Sequence, residues 1–191
     1  MWKHVTVLLA TLLAFGVSAY FLRQVIGLAS PWMGLLLMLC FLGMARIAEP
    51  LYRLKMPDGL RQIRPWELHG GLYRRLAVSE FGALLRDTPL RLLNSSVYVS
   101  RNRRDPLSTC RQVEAAEASH FWAALVLVPY LVFWTWSAAW ASVGGLVLVE
   151  ILGNAYPIMH LRSVRGRLER ISLRAQARAL PRANLIPSES P

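Results

Sequence analysis

The chain has 191 residues, 54% of them hydrophobic, and a mean hydropathy of +0.35, too apolar for a soluble domain and about the size of one small polytopic unit. Its net charge of +11 is concentrated, with thirteen Lys/Arg between Arg46 and Glu117 and seven after His160. That distribution excludes a nucleic-acid partner in favour of basic segments flanking a membrane.

The first apolar run covers residues 5–22. It reads either as a transmembrane helix or as a signal peptide, with a lightly basic start and small residues at 16–19. A second run, residues 25–45 with a Ser30-Pro31 interruption, follows at once and makes the pair look like two paired spans. Residues 121–161 then form a 41-residue run whose only formal charge is Glu150. That is about twice the ~20 residues a helix needs to cross a bilayer, so a helical hairpin turning within residues 137–145 is expected.

The fold class expected is therefore all-α, a polytopic membrane protein with about four transmembrane helices and a cytoplasmic basic amphipathic region. Its segments are residues 1–45, an N-terminal helix pair; 46–112, an interfacial region; 113–170, a hairpin with a basic exit; and 171–191, a tail. A turn near residue 140 sets His120 level with His160 and close to Arg162. Glu117, His120, Asn154, His160, Arg162 and Arg165 would then gather at one membrane surface. The connection between the first two spans carries only Arg23, and the hairpin turn carries no charge. The positive-inside rule accordingly puts both termini and the basic regions in the cytoplasm, where they also attract anionic headgroups of membrane lipids.

Within the interfacial region, residues 71–85 (GLYRRLAVSEFGALL) repeat Leu72, Leu76, Phe81, Leu84 and Leu85 at helical spacing. This predicts one amphipathic helix on the membrane surface, with turns at Pro57-Asp58-Gly59 and Asp87-Thr88-Pro89. Residues 94–106 read as a polar loop over the active face, and residues 181–191 as a disordered tail. Cys40 and Cys110 have no metal-ligand spacing and read as a packing residue and a free thiol. No P-loop, GxGxxG, GxSxG, HExxH or paired CxxC occurs, so no cofactor or metal is expected.

Glu114, Glu117 and His120 are spaced i, i+3, i+6, and neighbouring members meet on one side of a helix. A carboxylate one turn from an imidazole suits a general base; the same spacing also suits the acidic start of an interfacial helix. Asn154 and Glu150 lie inside the apolar run, where polar groups face a protein interior or cavity. Asn154 serves interhelical hydrogen bonding equally well, and Glu150 also fits a place near the outer interface. Arg162, Arg165 and Arg167 form either a positive-inside anchor or a site for phosphates or an acidic acyl carrier.

Together, AE-x-x-H (Ala116, Glu117, His120), the apolar hairpin, Asn154, Pro157, Arg162, Arg165, Arg167 and Leu168 resemble the glycosyl-4,4'-diaponeurosporenoate acyltransferase family of staphyloxanthin-type carotenoid synthesis. Upstream, WELHGGLY supplies a similar W-E-x-x-G-x-x-Y stretch (Trp66, Glu67, Gly70, Tyr73). The sequence departs from that family where its Gln-Arg-Tyr-Asn run becomes Leu161, Arg162, Ser163, Val164, and where a Trp-Lys pair becomes Phe81, Gly82.

The resemblance implies a bacterial inner-membrane O-acyltransferase moving a fatty acyl group from a thioester donor, acyl-CoA or acyl-carrier, onto a sugar hydroxyl of a lipid-like glycoside. In it His120 would be the base, Glu117 its orienting partner and Asn154 the oxyanion donor. Arg162, Arg165, Arg167, Trp66, Glu67 and Tyr73 would bind substrate. The alternatives are a non-catalytic membrane scaffold or lipid-binding subunit of a biosynthetic complex, and a lipid-modifying enzyme of another type.

Overall fold

The structure is a computed structural model that describes residues 2–69, 71–88 and 106–183; the described residues are helical, with no strand among them. The helices are α1 (Trp2–Ile26), α2 (Trp32–Ala48), α3 (Asp58–Arg61), α4 (Pro65–His69), α5 (Leu72–Arg75), α6 (Val78–Asp87), α7 (Pro106–Trp136), α8 (Trp140–Glu150) and α9 (Tyr156–Ala183), with a π-helical turn (Ile151–Ala155) between the last two. They divide into two compact units, residues 1–62 with 115–160 and residues 63–114 with 161–191.

In the first unit, α1 ends where Gly27 takes a left-handed φ of 77° and returns its N–H to the Arg23 carbonyl at 3.0 Å. Only glycine adopts that conformation without steric cost. Pro31 then precedes α2, where its missing N–H breaks no helical bond, so the Ser30-Pro31 interruption is the α1–α2 turn. The core joins Met33, Leu37 and Met38 of α2 to Ala123, Leu127 and Trp134 of α7 and Leu146 of α8. Phe15 of α1 meets Phe41 of α2 edge to face at 5.7 Å. The buried Trp134 indole donates to the Leu28 carbonyl at 3.2 Å, as a buried indole N–H must find an acceptor.

Close helix approach depends on small residues. A Cβ at Gly34 would lie 2.5 Å from Leu146 Cδ1, and one at Gly153 would lie 2.5 Å from Met38 Sδ. The outer faces carry Leu9, Leu12, Leu13, Val17 and Phe21 of α1 and Val132 and Phe133 of α7, all exposed. Such a surface suits hydrocarbon rather than water as its solvent.

Among the described residues, three helical stretches are long and apolar enough to cross a membrane, Val5–Ile26, Thr109–Trp136 and Trp140–Arg174. The fourth expected span, α2, has 17 residues and a length of about 25 Å, at the short end of the spanning range. Its run loses residues to α1, which extends to Ile26, and to the Gly27–Pro31 turn. Pro57 lies at the N-cap of α3, so Pro57-Asp58-Gly59 opens a short helix instead of forming an isolated turn.

The hairpin turn falls at residues 137–139, the beginning of the expected window. There Ala138 has a φ of 51° and the Ala139 N–H closes onto the Trp134 carbonyl at 3.0 Å. An earlier turn changes the register. His120 meets Gly153 instead of the level of His160, a displacement of about two helical turns.

In the second unit, the single amphipathic helix expected over residues 71–85 is two helices, α5 and α6, separated at Ala77, whose φ is 51°. α6 buries Val78 and Gly82 and turns Glu80, Leu84 and Arg86 outward. α9 continues to Ala183, inside the segment expected as tail. The expected loop at 94–105 and the rest of the tail, 184–191, lie outside the described residues.

Ala138 holds a conformation that costs an L-residue roughly 1–2 kcal/mol, while glycine adds unfolded-state entropy of about 0.4–1 kcal/mol. Ala138→Gly is therefore expected to leave the hairpin as stable or stabilise it by up to about 1 kcal/mol. Thermal unfolding in detergent, compared with wild type, checks this.

Candidate active site

The π-helical turn determines the geometry around His120. Its signature bond runs from the Tyr156 N–H to the Ile151 carbonyl, five residues back. Just beyond it stands Pro157, buried and without an N–H. The Gly153 carbonyl, four residues earlier, consequently has no regular helical donor. His120 on α7 takes that place, with Nδ1 2.9 Å from the Gly153 oxygen. A carbonyl can only accept, so in this bond Nδ1 carries the proton, and in the neutral ring Nε2 is then the nitrogen with the lone pair.

Asn154, the next residue of the turn, is 1% exposed and flanks the His120 ring. Its amide donates from Nδ2 to Glu150 Oε2 at 3.2 Å, leaving a second amide proton for another acceptor. Glu150 is half-buried and engaged by Asn154 across one turn. A cavity of about 310 Å³ is lined by Glu150 and by the apolar α7 side chains Phe121, Ala124, Leu125, Leu127, Val128 and Leu131. Glu117, one turn before His120, is fully buried.

The second unit holds a different cluster. Glu67 on α4, 6% exposed, receives a two-pronged contact from Arg162 on α9, with Nε to Oε2 at 2.7 Å and Nη2 to Oε1 at 2.9 Å. Tyr73 on α5 donates its hydroxyl to the same carboxylate at 3.1 Å. The W-E-x-x-G-x-x-Y stretch thus places its acid and its phenol on one guanidinium. Burial alone would raise the Glu67 pKa, but hydrogen bonding and attraction to Arg162, joined by Tyr73 and the Arg64 backbone, hold it below its ordinary value. Burial, together with the Glu67 charge, pushes Tyr73 up to about 12, so it remains a hydroxyl donor.

The other basic candidates differ in access. Arg165 is 3% exposed and pairs with Glu169 at 3.9 Å, whereas Arg167 is exposed. Trp66 is also exposed, at 51%. Among the described residues no three His, Cys, Asp or Glu converge to hold a metal. The structure thus joins His120 to Asn154, and Glu67 and Tyr73 to Arg162. Sequence reasoning missed the Gly153 carbonyl, because a backbone acceptor has no residue-type signature; its readable trace was Pro157 four residues later.

Removing one partner of a buried pair leaves an uncompensated charge, a loss of roughly 3–5 kcal/mol. Arg162→Leu is expected to lose about that much stability, and Tyr73→Phe about 1–3 kcal/mol for one buried hydrogen bond; denaturant titration in detergent measures both.

The pair also has a pH signature. Because the folded Glu67 pKa is lowered, the unfolded chain binds its proton more readily. Its stabilisation is fully present above the ordinary value of 4.5 and disappears as the pH falls through the lowered folded value. Unfolding midpoints measured from pH 6 down to about 3 should fall more steeply for wild type than for Glu67→Gln.

A family model described as glycosyl-4,4'-diaponeurosporenoate acyltransferase matches residues 57–174. No curated protein and no solved structure matches the chain.

Proposed function

Because this chain belongs to the glycosyl-4,4'-diaponeurosporenoate acyltransferase family, an acyltransferase family of carotenoid biosynthesis, we propose that it moves a fatty acyl group from a thioester onto a sugar hydroxyl of a membrane-dissolved glycoside. The observation that carries this reading is the His120–Gly153 hydrogen bond. It fixes the ring through Nδ1, and in the neutral imidazole that leaves Nε2 as the nitrogen able to accept a proton; an apolar cavity along the same helix, from Phe121 to Leu131, suits a hydrocarbon chain.

In the proposed reaction, Nε2 of His120 takes the proton of the sugar hydroxyl as its oxygen attacks the thioester carbonyl. The remaining Asn154 amide proton stabilises the developing oxyanion. The tetrahedral intermediate then breaks its carbon–sulfur bond, the ester is released, and the departing thiolate recovers the proton from His120. Glu117 would act on the imidazolium that forms in between, since Nδ1 is already bonded to Gly153.

Among the arginines of the second unit, Arg162 already neutralises Glu67 and Arg165 is buried, whereas Arg167 is exposed. A cytoplasmic placement of the site, as the charge distribution favours, would give a soluble donor access.

Expression in a bacterial host making glycosylated carotenoid tests the proposal through lipid mass spectrometry. With intact protein, a glycolipid heavier by one fatty acyl group is expected; His120→Ala at equal membrane abundance should reduce it about 10²-fold or more, the usual scale of losing a general base. Product made equally well by the variant would remove His120 from the mechanism. Identical extracts with and without the protein would favour the scaffold reading.

A further inference from the structure

We propose that Pro157 is a positioning residue for His120, acting through the Gly153 carbonyl to select the imidazole tautomer with its proton on Nδ1. The inference rests on the reading of His120 as the base only for its effect on rate; the tautomer itself follows from geometry.

Three observations converge. Pro157 stands four residues after Gly153 in a helical segment, where an ordinary residue would donate its N–H to the Gly153 oxygen. Proline has no such proton, and its ring crowds the carbonyl four residues back and turns it outward. His120 Nδ1 lies 2.9 Å from that oxygen. Finally, Met38 packs closely on the turn, a Cβ at Gly153 falling 2.5 Å from its Sδ.

The consequence is chemical. In neutral imidazole one nitrogen donates and the other accepts. A carbonyl acceptor against Nδ1 raises the population with Nε2 unprotonated, the form that can remove a hydroxyl proton. An amide N–H at position 157 would compete for the same oxygen and release the ring to exchange tautomers.

The test uses full-length protein in lipid nanodiscs with ¹⁵N-labelled histidine, its His120 signals assigned by their loss in His120→Ala. The wild-type spectrum is expected to show His120 with Nδ1 protonated and Nε2 imine-like at neutral pH. Pro157→Ala is expected to shift population towards the Nε2-protonated form and to lower kcat about 10-fold to 100-fold, as loss of a partner that orients a functional histidine does, with KM for the thioester changed less than about twofold.

A wild-type His120 protonated on Nε2 would overturn the proposal, as would Pro157→Ala with unchanged tautomer and kcat. Should that variant fail to accumulate, Pro157→Ser, which also restores an N–H, is read in the same way. If the tautomer shifts as expected while wild type transfers no acyl group, the positioning role stands and the acyltransferase reading falls.

Discussion

In hydrocarbon an unpaired backbone carbonyl costs several kcal/mol, and the centre of this fold is organised around one that its own helix cannot satisfy. Pro157 withholds the donor, the chain winds into a π-turn at Ile151–Ala155, and the Gly153 oxygen is satisfied by His120 from another helix. The turn places Asn154 against the same ring and over Glu150. π-Turns recur at functional sites because they open helical bonds and re-aim side chains. Here a single missing proton links a packing problem to the proposed catalytic base.

The second unit uses the opposite strategy, burying charge with complete pairing. Glu67 uses both oxygens on Arg162 and accepts Tyr73 as well. A buried ion pair contributes less to net stability than its Coulomb energy suggests. Its value is geometric: it ties the short α4 and α5, four or five residues each, to the long α9. Helices so short have no stability of their own. The resemblance marked Trp66, Glu67 and Tyr73 as substrate contacts, and the structure gives Glu67 and Tyr73 an internal partner, leaving Trp66 on the surface.

Much of the architecture was legible because its signals are additive along the chain. Runs of apolar residues, the Ser30-Pro31 break and the uncharged hairpin each require only local composition. Register was not, since any closure within residues 137–145 satisfies the same pattern, and a shift of a few residues exchanges His160 for Gly153 opposite His120. The break at Ala77 was equally invisible, as alanine is the strongest helix former and carries no hint of a left-handed φ. In the candidate site, residue types drew attention to His120 and Asn154, and the family resemblance to Glu67. Their partners were hidden where the partner is a backbone atom, or lies 95 positions away as Arg162 does from Glu67.

Trp136 and Trp140 bracket the hairpin tip with side chains 90% and 67% exposed, the amphipathic aromatics that settle at a bilayer's headgroup level. From Trp136 back to His120 is a rise of about 24 Å along α7, against a hydrocarbon thickness of about 30 Å. With both tryptophans seated at one headgroup layer, they would act as a depth gauge, and an upright α7 would leave the imidazole several ångströms beneath the opposite headgroups. A thicker bilayer would submerge it further and a thinner one would raise it towards water. On the proposed reaction, membrane composition would become a variable of the chemistry, setting how far a sugar hydroxyl must descend to meet the ring.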